Sequence, residues 1–366
     1  MKLQSSQKLS ALYAEFKARI ETGEWKAGDR LPTASELART FKCSGGVVSK
    51  AITMLAHDGL VEQKTKVGTR VIQSTPMNGS SIKMNAFGFI YPSRKHQGIS
   101  RLVQGFETAA HRNGRQVVLL SYGTDFQKEI EFITRLVEFD VYGAVIYPIL
   151  GSSSDQIRFS QILADVKFPI VLAEVNVLGM GRPSVTIDGY HAGYTMTRHL
   201  LETGKKRIGF LSNYSRNPSV RDRYLGYRAA MEEDGITIQP EWVIMDPIMK
   251  PNFFDPLTQP EELGRKYLSE CGNLEGVVCV DDFVAHGLIK AAAEKGIVVP
   301  RDLKVTGMED IAISQADGIS LTSYRVSFED MGEKTFEVLE ATHQKKPLES
   351  FETQVRGNLV IRESTK

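Results

Sequence analysis

The sequence predicts an α/β protein: a small N-terminal domain of helices ending in a two-stranded wing, then a larger body of parallel sheets flanked by helices. Three observations predict this. Residues 31–72, LPTASELARTFKCSGGVVSKAITMLAHDGLVEQKTKVGTRVI, compress two helix patterns and two short strand patterns into one compact stretch. Residues 74–83, STPMNGSSIK, lack periodicity and are rich in Ser, Gly, Pro and Asn, the composition of a linker. From residue 86 onward, apolar strand runs alternate with amphipathic helices. Such alternation, at roughly 25–30 residues per repeat, builds right-handed βαβ units and parallel sheets covered on both faces.

Each element has a local reason. Residues 7–22 place Leu9, Leu12, Phe16 and Ile20 on one helical face, with Gly23 as a stop. After the turn-rich WKAGDRLP, Thr33 has Glu36 three residues on, the spacing of a capping box. Ser44 can cap a second helix over 45–58 whose inward residues are Val47, Val48, Ala51, Ile52 and Leu55, and Gly59 ends it. LVEQKTK and GTRVIQS form a hairpin around Lys66–Gly68. In the body the strand runs are AFGFIYPS, QVVLLSYG, VYGAVIYP, PIVLAEVN, SVTID, RIGFLSN, WVIM, GVVCVDD, LKVTGMED and SYRVSF. They are too many for one small sheet, so two sheets are expected, with ligands bound beyond the carboxyl ends of their strands.

Composition bounds the function. The chain has 366 residues, 42% hydrophobic and 24% charged, enough for two or three globular domains. No run reaches the roughly 18 apolar residues of a membrane helix, and the N-terminus has no apolar signal core, so a cytoplasmic protein is expected. Three cysteines, Cys43, Cys271 and Cys279, form no CxxC pair and read as buried or free thiols. Net charge is +1, yet residues 1–75 hold 12 Lys and Arg against 7 Asp and Glu. Beside a helix-turn-helix pattern, that excess points to a polyanion partner. There is no GxxxxGK[ST], HExxH or GxSxG, and GMGRPS at 179–184 lacks the third glycine of a dinucleotide loop. No enzyme, cofactor or metal site is expected.

The run AGDRLPTASELARTF, the helix CSGGVVSKAITML, the strand HDGLVE and the wing VGTRVI resemble the winged helix-turn-helix of the GntR family. The resemblance implies a double-stranded DNA partner. In such motifs the start of the second helix meets base edges and the wing meets the backbone or minor groove. The expected DNA-facing residues are Thr33, Ser35, Ser44, Gly45, Gly46, Val47, Ser49 and Lys50, with Lys64, Lys66, Gly68 and Arg70 on the wing. The family has arginines where this chain has Ser35, Gly45 and Ser49, which implies a different operator or weaker intrinsic affinity.

Residues 85–363 resemble the sensing body of the LacI family, itself similar to periplasmic sugar-binding proteins. The markers are FGFIYPS, PIVLAEVN, VTIDGYHAGYTMTRHLLETGKKRIGFLSN, SVRDRYLGYRAAMEEDGI, GVVCVDDFVAHGLIKAAAEKGIVVPRDLKVTGMED and LTSYRVSFEDMGE. The pairing of the two domains resembles the arabinose-repressor subgroup. That resemblance implies two lobes, joined by three crossovers, that close on an effector in the cleft. It implies that Arg223 takes the place of the bidentate sugar-hydroxyl arginine. By the same resemblance Ser93, Glu174, Asp281 and Glu309 are cleft residues, and Phe253 or Phe254 is an aromatic platform. Asp282 reads as a helix cap instead, Asp188 as a helix cap or lobe-interface residue, and Arg221 as a surface or salt-bridge residue. The acceptor-rich set suits a polyhydroxyl effector, an anionic one only if a further cation such as Arg101 joins. The expected domains are 1–73 (reader), 74–83 (linker) and 84–366 (body). Lobe 1 is expected at about 84–186 and 326–347, and lobe 2 at about 187–322 and 350–366. The function expected is a ligand-responsive transcriptional regulator, a repressor acting as a homodimer on a pseudo-palindromic site and controlled by a carbohydrate. The alternative is a sugar-binding transport protein.

Overall fold

The structure, a computed structural model, describes residues 12–20, 22–57, 60–64, 68–72, 85–139, 141–150, 153–177, 179–249, 251–315 and 318–366. The chain divides into two units, Met1–Ser81 and Ile82–Lys366. The expected linker 74–83 falls outside the described residues, as does Lys66.

In the first unit, α1 covers 12–20 of the described chain. It is followed by α2 (Ala34–Thr40), α3 (Gly45–His57), β1 (Val61–Lys64) and β2 (Gly68–Val71). Thr33 caps α2 through the reciprocal box: its side chain accepts from the Glu36 N–H, and Glu36 accepts from the Thr33 N–H at 2.7 Å. Such a cap is worth about 1 kcal/mol. The helical period of α3 buries Val48, Ala51, Ile52 and Leu55 against Leu12, Phe16 and Ile20 of α1. Phe16 meets the rings of Trp25 and Phe41 at 5.3 Å. The antiparallel register Val61↔Val71 turns both valines into this core, so the wing is anchored at its base.

The second unit holds two six-stranded sheets. The first contains β3 (Ala86–Tyr91), β4 (Gln116–Ser121), β5 (Gly143–Ile146), β6 (Ile170–Ala173), β7 (Ser184–Ile187) and β13 (Glu352–Val355). Its order is β13-β7-β6-β5-β3-β4, parallel throughout. The second contains β8 (Ile208–Ser212), β9 (Val243–Met245), β10 (Gly276–Cys279), β11 (Lys304–Glu309), β12 (Thr322–Arg325) and β14 (Asn358–Val360). Its order is β14-β12-β11-β10-β8-β9, with β14 alone antiparallel. Strands such as β3 and β10 are buried along their whole length, as both-face coverage demands.

Helices α4 (Gln97–Arg112), α5 (Phe126–Glu138), α6 (Ser153–Asp165) and α11 (Phe328–His343) belong with the first sheet. The second carries α7 (Gly189–Glu202), α8 (Pro218–Glu233), α9 (Thr258–Glu270) and α10 (Asp282–Glu294). The α7–α8 crossing is so close that a Cβ on Gly193 would lie 2.0 Å from the Arg223 carbonyl oxygen. Glycine there is a packing requirement, and it fixes the backbone that carries Arg223.

Three crossovers join the lobes, from β7 to α7, β12 to α11 and β13 to β14. They are tied to one another. Asp188 at the first crossover caps α7 through the His191 N–H and accepts from Arg356 Nε, at the third, at 2.8 Å. Tyr324 before the second accepts from the Gly357 N–H at 2.8 Å. Asp188 is thus both a cap and a lobe-junction residue. Two expected boundaries are corrected. Residues 350–366 do not lie wholly in the second lobe: β13 pairs with β7 in the first, and only the chain after Arg356 crosses over. The second sheet also runs on to Arg325 rather than ending at 322.

Candidate functional site

The order of each sheet reverses beside its first strand, between β3 and β5 and between β8 and β10. Loops leaving the strands on either side of that reversal splay apart and open a crevice at the carboxyl ends. The two crevices face one another and enclose a cavity of about 130 Å3, the scale of a small molecule. Five of the six expected residues line it: Glu174 after β6, Arg223 on α8, Phe253, Asp281 after β10 and Glu309 at the end of β11. Ser93 does not. Its hydroxyl turns back to accept from the Lys95 N–H at 3.2 Å, closing a local turn. The platform ambiguity resolves toward Phe253, since Phe254 is 84% exposed and sits under the Lys95 ammonium.

Arg223 is 5% exposed. Its Nη1 donates to the Val280 carbonyl at 2.9 Å and its Nη2 to Glu174 Oε1 at 3.5 Å, while Nε has no partner. The guanidinium is held by both lobes while its buried Nε is without a partner. Buried polar groups are rarely left so. Glu309 Oε2 is the matching orphan acceptor, 3.2 Å from His96 Nε2 without the alignment of a hydrogen bond. Arg221 is the expected surface residue, paired with Asp222. Arg101 is committed to Glu329 through two bonds of 2.7 Å and lies outside the cavity wall.

Asp281 lines the cavity as expected and also takes the cap expected of Asp282. Asp281, extended at φ −149, caps α10 by accepting from the Val284 N–H at 2.8 Å while it lines the cavity. Asp282 is buried behind it, accepting from Ser323 at 2.6 Å and from the Ile311 N–H at 3.0 Å.

Sequence patterning reveals only part of the cavity, and it does not reveal His96. That residue caps α4, accepting at Nδ1 from the Ile99 N–H at 3.4 Å, and reaches across to Glu309. Its ring meets Phe253 and Phe283 edge-on at 6.3 and 5.7 Å. The one available signal is position: a His three residues before an apolar periodic run can act as a helix cap. Asn213, Tyr147 and Tyr214, also on the wall, carry no pattern beyond following strands. Three wall residues, Glu174, Tyr214 and Glu309, hold positive φ values of 67°, 47° and 106°. Side chains rarely accept that conformation, and its clustering at strand ends is a mark of a functional site.

Burial dominates the electrostatics. It pushes Glu174 up to about 7, against the pull of Arg223, and Asp281 up to about 6, with Glu309 adding repulsion. For His96 burial acts downward, but Glu309, Asp281 and Glu174 together outweigh it and hold the imidazole above its usual value.

The first unit presents a different surface. Thr33, Ser35, Ser44, Gly45, Gly46, Ser49, Lys50, Gly68 and Arg70 are all exposed. Val47 is not a free contact: it is half-buried against the domain core. The Lys64 side chain and Lys66 lie outside the described residues. Ser44 stands at the N-terminus of α3, and its carbonyl accepts from Val47 and Val48. A Cβ on Gly45 or Gly46 would meet nothing within 4 Å, so the fold itself does not ask for glycine at either position.

Two family models match the chain, one in each unit. Residues 8–71 match the model of bacterial regulatory proteins of the gntR family, and residues 197–365 match that of the periplasmic binding protein-like domain. The transcriptional regulator RegA of Clostridium saccharobutylicum is 29% identical over 284 residues, 77% of this chain and 82% of that protein. The arabinose metabolism transcriptional repressor of Geobacillus stearothermophilus is 24% identical over 370 residues, the whole length of both. Among solved structures, the regulator CelR in complex with cellobiose superposes with a TM-score of 0.67 at 18% identity, over 91% of this chain and all of that one. Among the described residues, no helix is long and apolar enough to cross a membrane.

Proposed function

We propose that this chain, a gntR-type reader joined to a periplasmic-binding-protein-like body, is a repressor of transcription controlled by a small polyhydroxyl effector held between its two lobes. The observation that carries the reading is the convergence of Glu174, Arg223, Phe253, Asp281 and Glu309, from separate elements of both lobes, on one cavity with an unpartnered buried Arg223 Nε. A sugar supplies hydroxyl donors for the carboxylates, oxygens for the guanidinium and an apolar ring face for Phe253. The relatives support it: one is named a repressor of arabinose metabolism, and CelR is described with cellobiose.

The mechanism is a population shift. His96–Glu309 and Glu174–Arg223 span the lobes, so an effector touching both sides stabilises the closed arrangement about the Asp188–Arg356 junction. It changes operator affinity only by as much as it discriminates between open and closed forms. Ser35, Ser44, Gly45, Gly46, Ser49, Lys50 and Arg70 form the DNA-reading face. A single winged helix covers few base pairs, so the working unit is a homodimer on a two-fold site, in the cytoplasm.

The test is operator binding by fluorescence anisotropy, using DNA upstream of the protein's own gene and a panel of sugars. One sugar shifts the binding curve of the native protein. In Arg223→Ala the shift is lost and operator affinity stays within about twofold. A variant that still responds to that sugar overturns the assignment of the cleft.

A further inference from the structure

The cleft has a charge imbalance that a neutral sugar leaves uncorrected. Four carboxylates line the cavity: Glu174, Asp281 and Glu309 in its depth, and Asp255 at its exposed rim. Facing them are two basic side chains, Arg223 and His96. Each is already engaged. Two of the five guanidinium N–H groups are committed to Val280 and Glu174, and the histidine bridges the Ile99 N–H and Glu309. The carboxylates interact with one another as well: Glu309 repels both Glu174 and Asp281. Glu309 Oε2 is left with no hydrogen bond although it is buried. Hydroxyl groups can donate to these oxygens, but they bring no charge into a space where burial makes every unpaired carboxylate costly.

We propose that the effector carries a basic nitrogen, as in an amino sugar or an amino polyol, whose ammonium sits among Glu174, Asp281 and Glu309 while a ring or ether oxygen accepts from Arg223 Nε. This rests on the cleft being the effector site and adds the charge of its ligand. An ammonium supplies the three donors that the orphaned acceptor and its neighbours need, and brings the positive charge that the wall lacks. The upward push on Glu174 and Asp281 fits this: burial disfavours the charged form of both, and a bound cation offsets that cost. Binding an ammonium therefore ionises them and strengthens as pH rises from 5.5 to 7. The other charged groups facing the site, Arg223, His96, Glu309 and Asp255, belong to the same count.

Isothermal titration calorimetry of the full-length protein tests this with glucosamine, galactosamine and mannosamine, their neutral parents glucose, galactose and mannose, and glucuronate and galacturonate. At least one amine binds ten times more tightly than its neutral parent, and the uronates bind more weakly than either. Glu309→Gln reduces that advantage to below threefold. Should that variant fold poorly by circular dichroism, Asp281→Asn replaces it, since asparagine caps a helix as well as aspartate does. A neutral parent or a uronate binding as tightly as its amine overturns the inference, and so does a panel in which no amine binds. The two readings fail separately: a bound ligand that leaves operator affinity unchanged defeats the regulator, whereas a neutral sugar that shifts it at no higher concentration than its amine defeats only the ammonium.

Discussion

The two functional surfaces of this chain are built on opposite principles. The reader keeps its polar residues in water. Ser35, Gly45, Ser49 and Lys50 stand exposed on helices held from behind by a small apolar core. The cleft does the reverse. It buries Arg223, Glu174 and their neighbours, strains the backbone at three strand ends and leaves donors and acceptors unpaired inside. The reader therefore costs the fold little, whereas the cleft draws on the stability of the large sheets around it. This is why a small domain suffices for the first and a body of two sheets is needed for the second.

The sharpest way to probe the stability of that body is a residue that neither surface uses. Glu129 on α5 is fully buried, and neither carboxylate oxygen has a hydrogen-bond partner. Burial first, and repulsion from Asp155 second, push it up to about 8 from an ordinary value of 4.5. A raised carboxyl is a stabilising proton store at low pH. Its contribution is full below 4.5 and is withdrawn as pH rises through about 8, because the unfolded chain gives up the proton first. Each unit of that interval is worth about 1.4 kcal/mol, and the whole of it as much as about 5 kcal/mol. Glu129→Met removes the titration while keeping the volume. Its unfolding free energy in urea should exceed that of the native protein by several kcal/mol at pH 8.5, and the gap should shrink steadily toward pH 5. A gap that does not change with pH would mean that Glu129 finds a partner in solution.

The two surfaces also differ in how much of each is legible in the sequence. The reader is local: its capping box, helical period and wing lie within one short stretch, so spacing alone predicts Thr33 with Glu36 and the inward face of α3. The cleft is assembled from strand ends far apart in sequence, and only the strand pattern says where those ends fall. The family resemblance is what singles out Glu174, Asp281 and Glu309, and each of them ends or directly follows a clear apolar run. It fails at Ser93, where the chain turns within two residues and redirects the side chain, and at His96, which enters from a helix cap. The cap moves from Asp282 to Asp281 because adjacent aspartates at a strand-to-helix junction look alike until the backbone torsion assigns it. The placement of β13 is hidden because nothing local in ETQV says which of two sheets it joins.

The contrast extends to the glycines of the two surfaces. In the body, Gly193 is demanded by the protein, since Arg223 occupies the space a side chain would need. Gly45 and Gly46 face open space, and each costs up to about 1 kcal/mol of helix propensity, less at a terminus. With no internal reason for them, we propose an external one, a close approach of the helix backbone to DNA. Gly45→Arg should leave the melting temperature unchanged or raised, yet weaken the chain's own operator about tenfold in anisotropy titrations. Tighter operator binding instead would show that the glycines merely hold affinity down.

The smallest effect expected is the most informative about assembly. Lys50 is exposed on the second turn of α3, and the contact proposed for it is to a DNA phosphate, a frequent partner of lysine. Each phosphate contact contributes about 0.9 to the slope of log affinity against log salt, through counterion release. Lys50→Ala should therefore cost little affinity at any one salt concentration but flatten that slope. A monomer loses about 1 and a symmetric dimer about 2, because both protomers lose the contact. Titrations across a fourfold range of potassium chloride resolve the difference. An unchanged slope removes Lys50 from the DNA face, while a fall of about 2 counts the protomers on the operator by the same measurement that locates the contact.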